Sequence, residues 1–137
     1  MTWREIIREF IPQSPLVRHL GIAVKTLEPD LAELELPYRP ELATMGDVVH
    51  GGAIATLIDT TAMAAAWASD EEAPESATGS TVSMTVEYIE AARGGDLLAT
   101  GIPVRRGRTI CFCDVTVTEP PGERVVAKGM AVYRFAS

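Results

Sequence analysis

Residues 48–67 read VVHGGAIATLIDTTAMAAAW, and the fold turns on how this stretch is read. From Gly51 it is apolar on nearly every side, broken only by Thr56, Asp59, Thr60 and Thr61, and a helix of that kind belongs in a core. It is shorter than the roughly 20 residues a membrane-spanning helix needs and it carries Asp59, so it is read as a buried soluble helix ending near Trp67. His50-Gly51-Gly52 stands where an irregular segment turns into that helix. Glycines let another group approach the backbone, and a helix N-terminus offers unpaired N–H groups and the positive end of its dipole. The pattern suits an anion or oxyanion site, although a tight turn alone would also use two glycines. Asp59 is different, because a carboxylate within an apolar helix is costly to desolvate and tends to be kept for a role.

Upstream, Thr2 and Glu5 have capping-box spacing, and Trp3, Ile6, Ile7 and Phe10 recur at helical intervals until Pro12 stops the helix. Ser14-Pro15 opens a second helical turn that Gly21 closes. The period then changes from 3.6 to 2. Ile22, Val24 and Thr26 alternate with Ala23, Lys25 and Leu27, and after the turn Glu28-Pro29-Asp30, Ala32, Leu34 and Leu36 lie opposite Glu33 and Glu35, which predicts a hairpin. Residues 37–47 read as irregular, and Asp70-Glu71-Glu72 with Pro74 as a solvated loop. Downstream, Val82, Met84, Val86 and Tyr88 alternate with Thr81, Ser83, Thr85 and Glu87; residues 97–104, 109–118 and 125–134 give three more strands. Arg93-Gly94-Gly95, Arg105-Arg106-Gly107-Arg108 and Pro120-Pro121-Gly122 supply the turns between them. The order predicts an α+β fold in one domain spanning 1–137, a long antiparallel sheet wrapped around one central helix.

Composition narrows the function. With 12 Lys and Arg against 19 Asp and Glu the net charge is −7, which disfavours a general nucleic-acid partner. An N-terminus of the form Trp3-Arg4-Glu5 lacks the basic-then-apolar pattern of a secretory signal, and Cys111 and Cys113 are too few for a disulfide scaffold. A reducing, cytoplasmic setting without membrane contact is expected. His19 and His50 are the only histidines, so neither metal catalysis nor another cofactor is expected.

Helix rise adds a constraint on the site. Eight residues separate Gly51 from Asp59, about 12 Å along the axis. A carboxylate and an oxyanion donor that share one carbonyl must each lie within about 3 Å of it. If both act on one substrate, Gly51 must come from one subunit and Asp59 from another, which predicts an obligate dimer.

His50-Gly51-Gly52, six variable residues, Asp59 and an Ala-rich continuation closely resemble the signature of the hotdog-fold thioesterases, in particular the phenylacetate-pathway, PaaI-like branch. The resemblance extends to Ser14-Pro15, Leu20-Gly21-Ile22, the strand from Val82 to Tyr88 and the turn Arg105-Arg106-Gly107-Arg108-Thr109. It implies an acyl-CoA thioesterase with its active site at the interface of a homodimer, and further pairing of dimers into a homotetramer. Asp59 then becomes the general base that activates water or the nucleophile that attacks the thioester, with the Gly51 N–H polarising the carbonyl and Gly52 and the rest of that turn assisting. His50 takes an accessory part or simply holds the loop, and Thr81 falls where related sequences place a hydroxyl that positions water or the carboxylate. Many relatives carry Asn or Gln shortly before His-Gly-Gly; this chain has Thr44-Met45-Gly46-Asp47, and Asp47 either substitutes or caps the helix.

The implied substrate is an acyl- or aryl-CoA. No Lys or Arg lies between Arg39 and Arg93, whereas Arg93, Arg105, Arg106 and Arg108 follow at two turns and suit bidentate phosphate contacts. The acyl end is expected against Ala62, Met63 and Ala66, with Trp67 and Met45 nearby. Two other activities fit the same fold: a hydroxyacyl-thioester dehydratase using His50 with Asp59, and a silent acyl-CoA-binding module.

Overall fold

The computed structural model describes residues 1–121 and 123–136; Gly122, the last residue of the expected Pro120-Pro121-Gly122 turn, lies outside them. Helix α1 (Trp3–Phe10) carries the full capping box between Thr2 and Glu5, and its continuation past Phe10 tightens into a 3-10 turn at Ile11–Gln13 that contains Pro12. Helix α2 (Pro15–Leu20) starts after Ser14 and ends on Gly21, whose φ of +81° is the left-handed conformation that favours glycine.

Strands β1 (Ala23–Glu28) and β2 (Leu31–Leu36) form the expected antiparallel hairpin, with one difference. A bulge between Val24 and Thr26 resets the alternation, so that Leu27 joins Ile22 in the core. The segment expected to be irregular contains a small ladder of its own, β3 (Ala43–Met45) with β4 (Val48–Val49), closed by Gly46 at φ +59°. Helix α3 (Gly51–Ala66) follows directly. Beyond it β5 (Thr78–Tyr88), β6 (Leu97–Arg106), β7 (Ile110–Glu119) and β8 (Arg124–Ala136) complete an antiparallel six-stranded sheet in the order β1-β2-β6-β7-β8-β5. Arg105 and Arg106 therefore close a strand, and only Gly107 and Arg108 of that quartet turn the chain.

The sheet curves round α3, burying Leu57, Ile58, Ala62 and Ala65 against Leu34, Ala99, Val115 and Ala131. Two glycines set how closely the helix approaches. A Cβ on Gly129 would lie 2.5 Å from Cγ2 of Ile58, and one on Gly101 would lie 2.9 Å from Cγ2 of Thr61. The acidic loop is less free than its charge suggests. Asp70 takes two hydrogen bonds from Arg4, and Glu72 pairs with the N-terminal amine, tying α1 across the end of the sheet. Arg4 and Arg8 also donate to the Leu27 carbonyl of the β1 edge, and β5 is the opposite edge of the sheet. No described helix is long and apolar enough to cross a membrane.

Gly129→Ala should destabilise the fold by about 1–3 kcal/mol through overpacking against Ile58, read as a lower urea midpoint with an unchanged slope. An unchanged midpoint would mean that α3 can move off the sheet freely.

Candidate active site

The sheet covers α3 on every side but one. Gly52, Ala55, Thr56, Asp59 and Met63, spaced so that they fall on one helix face, remain at least partly exposed along a single stripe. Asp59 is accordingly half-buried on the open face rather than enclosed in the core as its apolar neighbours suggest. The helical threonines satisfy themselves: Thr56, Thr60 and Thr61 donate their hydroxyls to the carbonyls of Gly52, Thr56 and Leu57 at 2.9, 2.8 and 2.7 Å. Asp59 sits among them without such a local partner.

Its partner is the expected Thr81, whose hydroxyl donates to Oδ1 of Asp59 at 2.6 Å, the length of a charge-assisted bond. Strict alternation along β5 would point Val82 inward. Instead a bulge between Thr81 and Ser83 leaves Val82 57% exposed and turns Thr81 onto the helix side with Met84 and Val86. The bulge thus supplies the hydroxyl. Oδ2 of Asp59 has no partner among the described residues and is free to take a proton or attack.

At the other end of the stripe, His50 is the N-cap of α3: its Nδ1 accepts the Gly52 N–H at 2.7 Å. His50 therefore fills the capping place considered for Asp47. Asp47 lies in the β3–β4 turn, 3.7 Å from Arg93, and its carbonyl accepts the Gly94 N–H. The groups that come close to the two glycines are the protein's own. A Cβ on Gly52 would sit 3.0 Å from the His50 ring, and one on Gly51 would sit 3.2 Å from the ring of Tyr88, whose hydroxyl donates to the Gly51 carbonyl. The Gly52 N–H is consumed by its cap, whereas the Gly51 N–H has no acceptor among the described residues. One chain thus presents a free donor at Gly51 and a free carboxylate oxygen at Asp59, about 12 Å apart along one helix. His50 lies one residue further from Asp59 than Gly51 does, at the opposite end of the stripe, so one chain cannot use the two as a proton-shuttling pair.

Asp59 and Thr81 open into a cavity of about 230 Å³ walled by Leu16, Val17, Met63 and Tyr133. It shares Phe10, Met63, Gly79 and Tyr133 with a second space of about 250 Å³ that continues between α1 and β5 to Trp67 and Ala77. Toward the helix start, a third of about 250 Å³ touches His50, Gly52 and Thr56. Of the residues read as acyl contacts, Met63 and Trp67 line this groove. Ala62 and Ala66 do not, being packed against the sheet, and Met45 is 75% exposed on the β3–β4 ladder. Sequence reading missed Phe10, Gly79 and Tyr133 as lining residues; an aromatic with a polar tip on the inward face of β8 was the available signal for Tyr133.

The arginines do not gather. Arg93 neighbours Val48 at the N-terminal end of α3, while Arg106 donates to the carbonyls of Ala65 and Ala66 and pairs with Asp30 at 2.8 Å, capping the opposite end. Arg105 and Arg108 are exposed beside it. Among the described residues no three His, Cys, Asp or Glu side chains converge as a metal site would require. Cys111 and Cys113 face inward as free thiols, their sulfurs 3.7 Å apart.

A family model described as the thioesterase superfamily matches residues 46–126. A Halobacterium salinarum protein named as a candidate esterase is 33% identical, covering 90% of this chain and 87% of that one. Human acyl-coenzyme A thioesterase 13 is 27% identical over 92% of this chain and 89% of its own length. Among solved structures, a thioesterase family protein from Silicibacter pomeroyi superposes with a TM-score of 0.88 over 97% of both chains at 24% identity, and zebrafish thioesterase superfamily member 2 with 0.80 over 100% and 99% at 27%.

The capping role of His50 has a direct test. His50→Ala should cost about 1 kcal/mol in urea unfolding, and His50→Asn should recover most of it. Equal stability of all three proteins would show that the imidazole is not holding the helix start.

Proposed function

The chain belongs to the thioesterase superfamily, and from that premise we propose that it hydrolyses an acyl- or aryl-CoA thioester to the free acid and CoA. The observation that carries this reading is the Asp59 carboxylate, held on one oxygen by Thr81 and open on the other at the mouth of an apolar groove. Asp59 activates water as general base or attacks the thioester carbonyl itself, and Thr81 fixes its orientation. The second half of the chemistry is an oxyanion donor, for which the free Gly51 N–H at the positive end of α3 is suited. Helix rise keeps it from its own Asp59, so it serves the Asp59 of a second copy. A dimer built along the β5 edge and the uncovered stripe of α3 accounts for both features. The apolar outer face of the sheet, where Val104, Phe112 and Met130 are exposed, suits pairing of dimers into a tetramer.

Of the arginines proposed for the CoA phosphates, Arg93 is the one at the same end of α3 as the oxyanion donor, and its side chain is 64% exposed. Arg105 and Arg108 are left as outlying contacts, and Arg106 is occupied by its cap and ion pair. A PaaI-like role in the cytoplasm, with the two thiols kept reduced, is consistent with this arrangement.

Asp59→Ala and Asp59→Asn should each lower thiol release from an acyl-CoA by roughly 10²–10⁴-fold while the protein stays folded; turnover retained in a folded variant would sink the mechanism. Mixing Asp59→Ala chains with chains altered at Gly51 should restore part of the activity, because the mixed dimer regains one intact site. No recovery in a verified heterodimer would place both groups in one chain. Arg93→Ala should raise KM for the CoA ester several-fold with kcat little changed, and more than Arg105→Ala or Arg108→Ala does.

A further inference from the structure

Tyr133, 3% exposed, lines both the cavity that holds Asp59 and the one that continues under α1, together with Phe10, Met63 and Gly79. The rest of the inner cavity is mostly apolar, lined by Ile6, Ile7, Phe10, Met63 and Trp67 with Ala77, Thr78 and Gly79; the Thr78 hydroxyl is turned to the Ala136 carbonyl, and the Tyr133 hydroxyl is the buried side-chain oxygen of the lining. Gly79 makes the placement possible, since a Cβ there would lie 2.4 Å from the Tyr133 ring and 2.6 Å from its oxygen. The oxygen accepts the Trp67 indole N–H at 3.0 Å, and Trp67 is itself held edge-on by Trp3 and Phe135 at 4.9 and 5.8 Å between ring centroids. With one lone pair filled and the rings locked, the O–H proton is directed away from Trp67 and has no acceptor among the described residues. Burial raises the Tyr133 pKa above the ordinary phenol value, with the charge of Asp59 adding to it against the opposing Trp67 bond, so the proton stays in place at neutral pH.

We infer that Tyr133 determines specificity in the acyl pocket and that the acyl group this site is built for carries an oxygen acceptor beyond the thioester carbonyl. A saturated chain filling the pocket would bury the O–H against hydrocarbon with no partner, whereas a keto or hydroxyl oxygen in the chain completes the bond. A site that offers a buried polar group discriminates against the analogue that lacks the complementary atom. The inference rests on the proposed thioester hydrolysis and deepens it by naming the acyl class.

The test is the ratio of kcat/KM for 5-oxohexanoyl-CoA and 6-hydroxyhexanoyl-CoA to that for hexanoyl-CoA, read by thiol release with wild type and Tyr133→Phe. Wild type should favour at least one oxygenated ester by roughly tenfold, and Tyr133→Phe should bring that ratio close to one. A merely structural tyrosine would depress all three esters alike and leave the ratio in place. Should Tyr133→Phe fail to fold because the Trp67 N–H is orphaned, the double variant Trp67→Phe/Tyr133→Phe removes both groups and reads the same ratio. Wild-type hydrolysis with no oxygen preference, or a preference that survives the substitution, overturns the inference and leaves the hydrolysis standing. No thiol from any ester overturns both.

Discussion

Everything in this molecule follows from enclosing α3, a helix too apolar to face water and too short to leave it through a membrane. An antiparallel sheet solves the problem by curving round it, at a separation set by Gly101 and Gly129, which leave no room for a side chain between helix and strands. Enclosure by a single sheet cannot be complete, however. Six strands leave one stripe of the helix uncovered, and it is on this stripe that Asp59 stands. The same incompleteness that leaves the groove open therefore spares the carboxylate the full desolvation cost of the core.

The main elements were legible because their signals are local. The capping box at Thr2, the Ser14-Pro15 and Gly21 boundaries and the all-round apolar run from Gly51 each act within a few residues, and the structure shows all of them. What could not be read from the sequence depends on register. The bulges at Lys25 and Val82 break the alternation without any glycine to announce them, and the second re-aims Thr81 at Asp59. The pairing of a buried tyrosine with an indole sixty-six residues away is likewise invisible to any local pattern.

The site residues divide in the same way. His50, Gly51 and Asp59 stand out as candidates because helix starts and stray carboxylates have few uses, whereas Thr81 is a candidate only through the family resemblance; in the structure the imidazole caps the helix and spends the Gly52 N–H, leaving the Gly51 N–H without an acceptor among the described residues. The arginines were harder to place, because neighbours in sequence are not neighbours in space. A helix of sixteen residues stands between Arg93 and the Arg105–Arg108 group, and one of that group is needed to close the helix's own C-terminal carbonyls.

That separation bears on how an acidic protein could hold a polyanion. A net charge of −7 repels phosphate at long range, so any attraction must be local and directional. The start of α3 is the one place where Arg93, a helix dipole and an unpaired backbone N–H come together. Asp47 beside Arg93 lies exposed, where solvent screens an ion pair and its net worth is small, so an incoming phosphate can displace it at little cost. The positive field that the proposed CoA substrate needs is thereby confined to the end of the helix that also carries the N–H proposed for its carbonyl, and it lies a full 12 Å or so from the carboxylate of the same chain. In the proposed dimer, antiparallel apposition of two copies is what would bring each carboxylate to such a field.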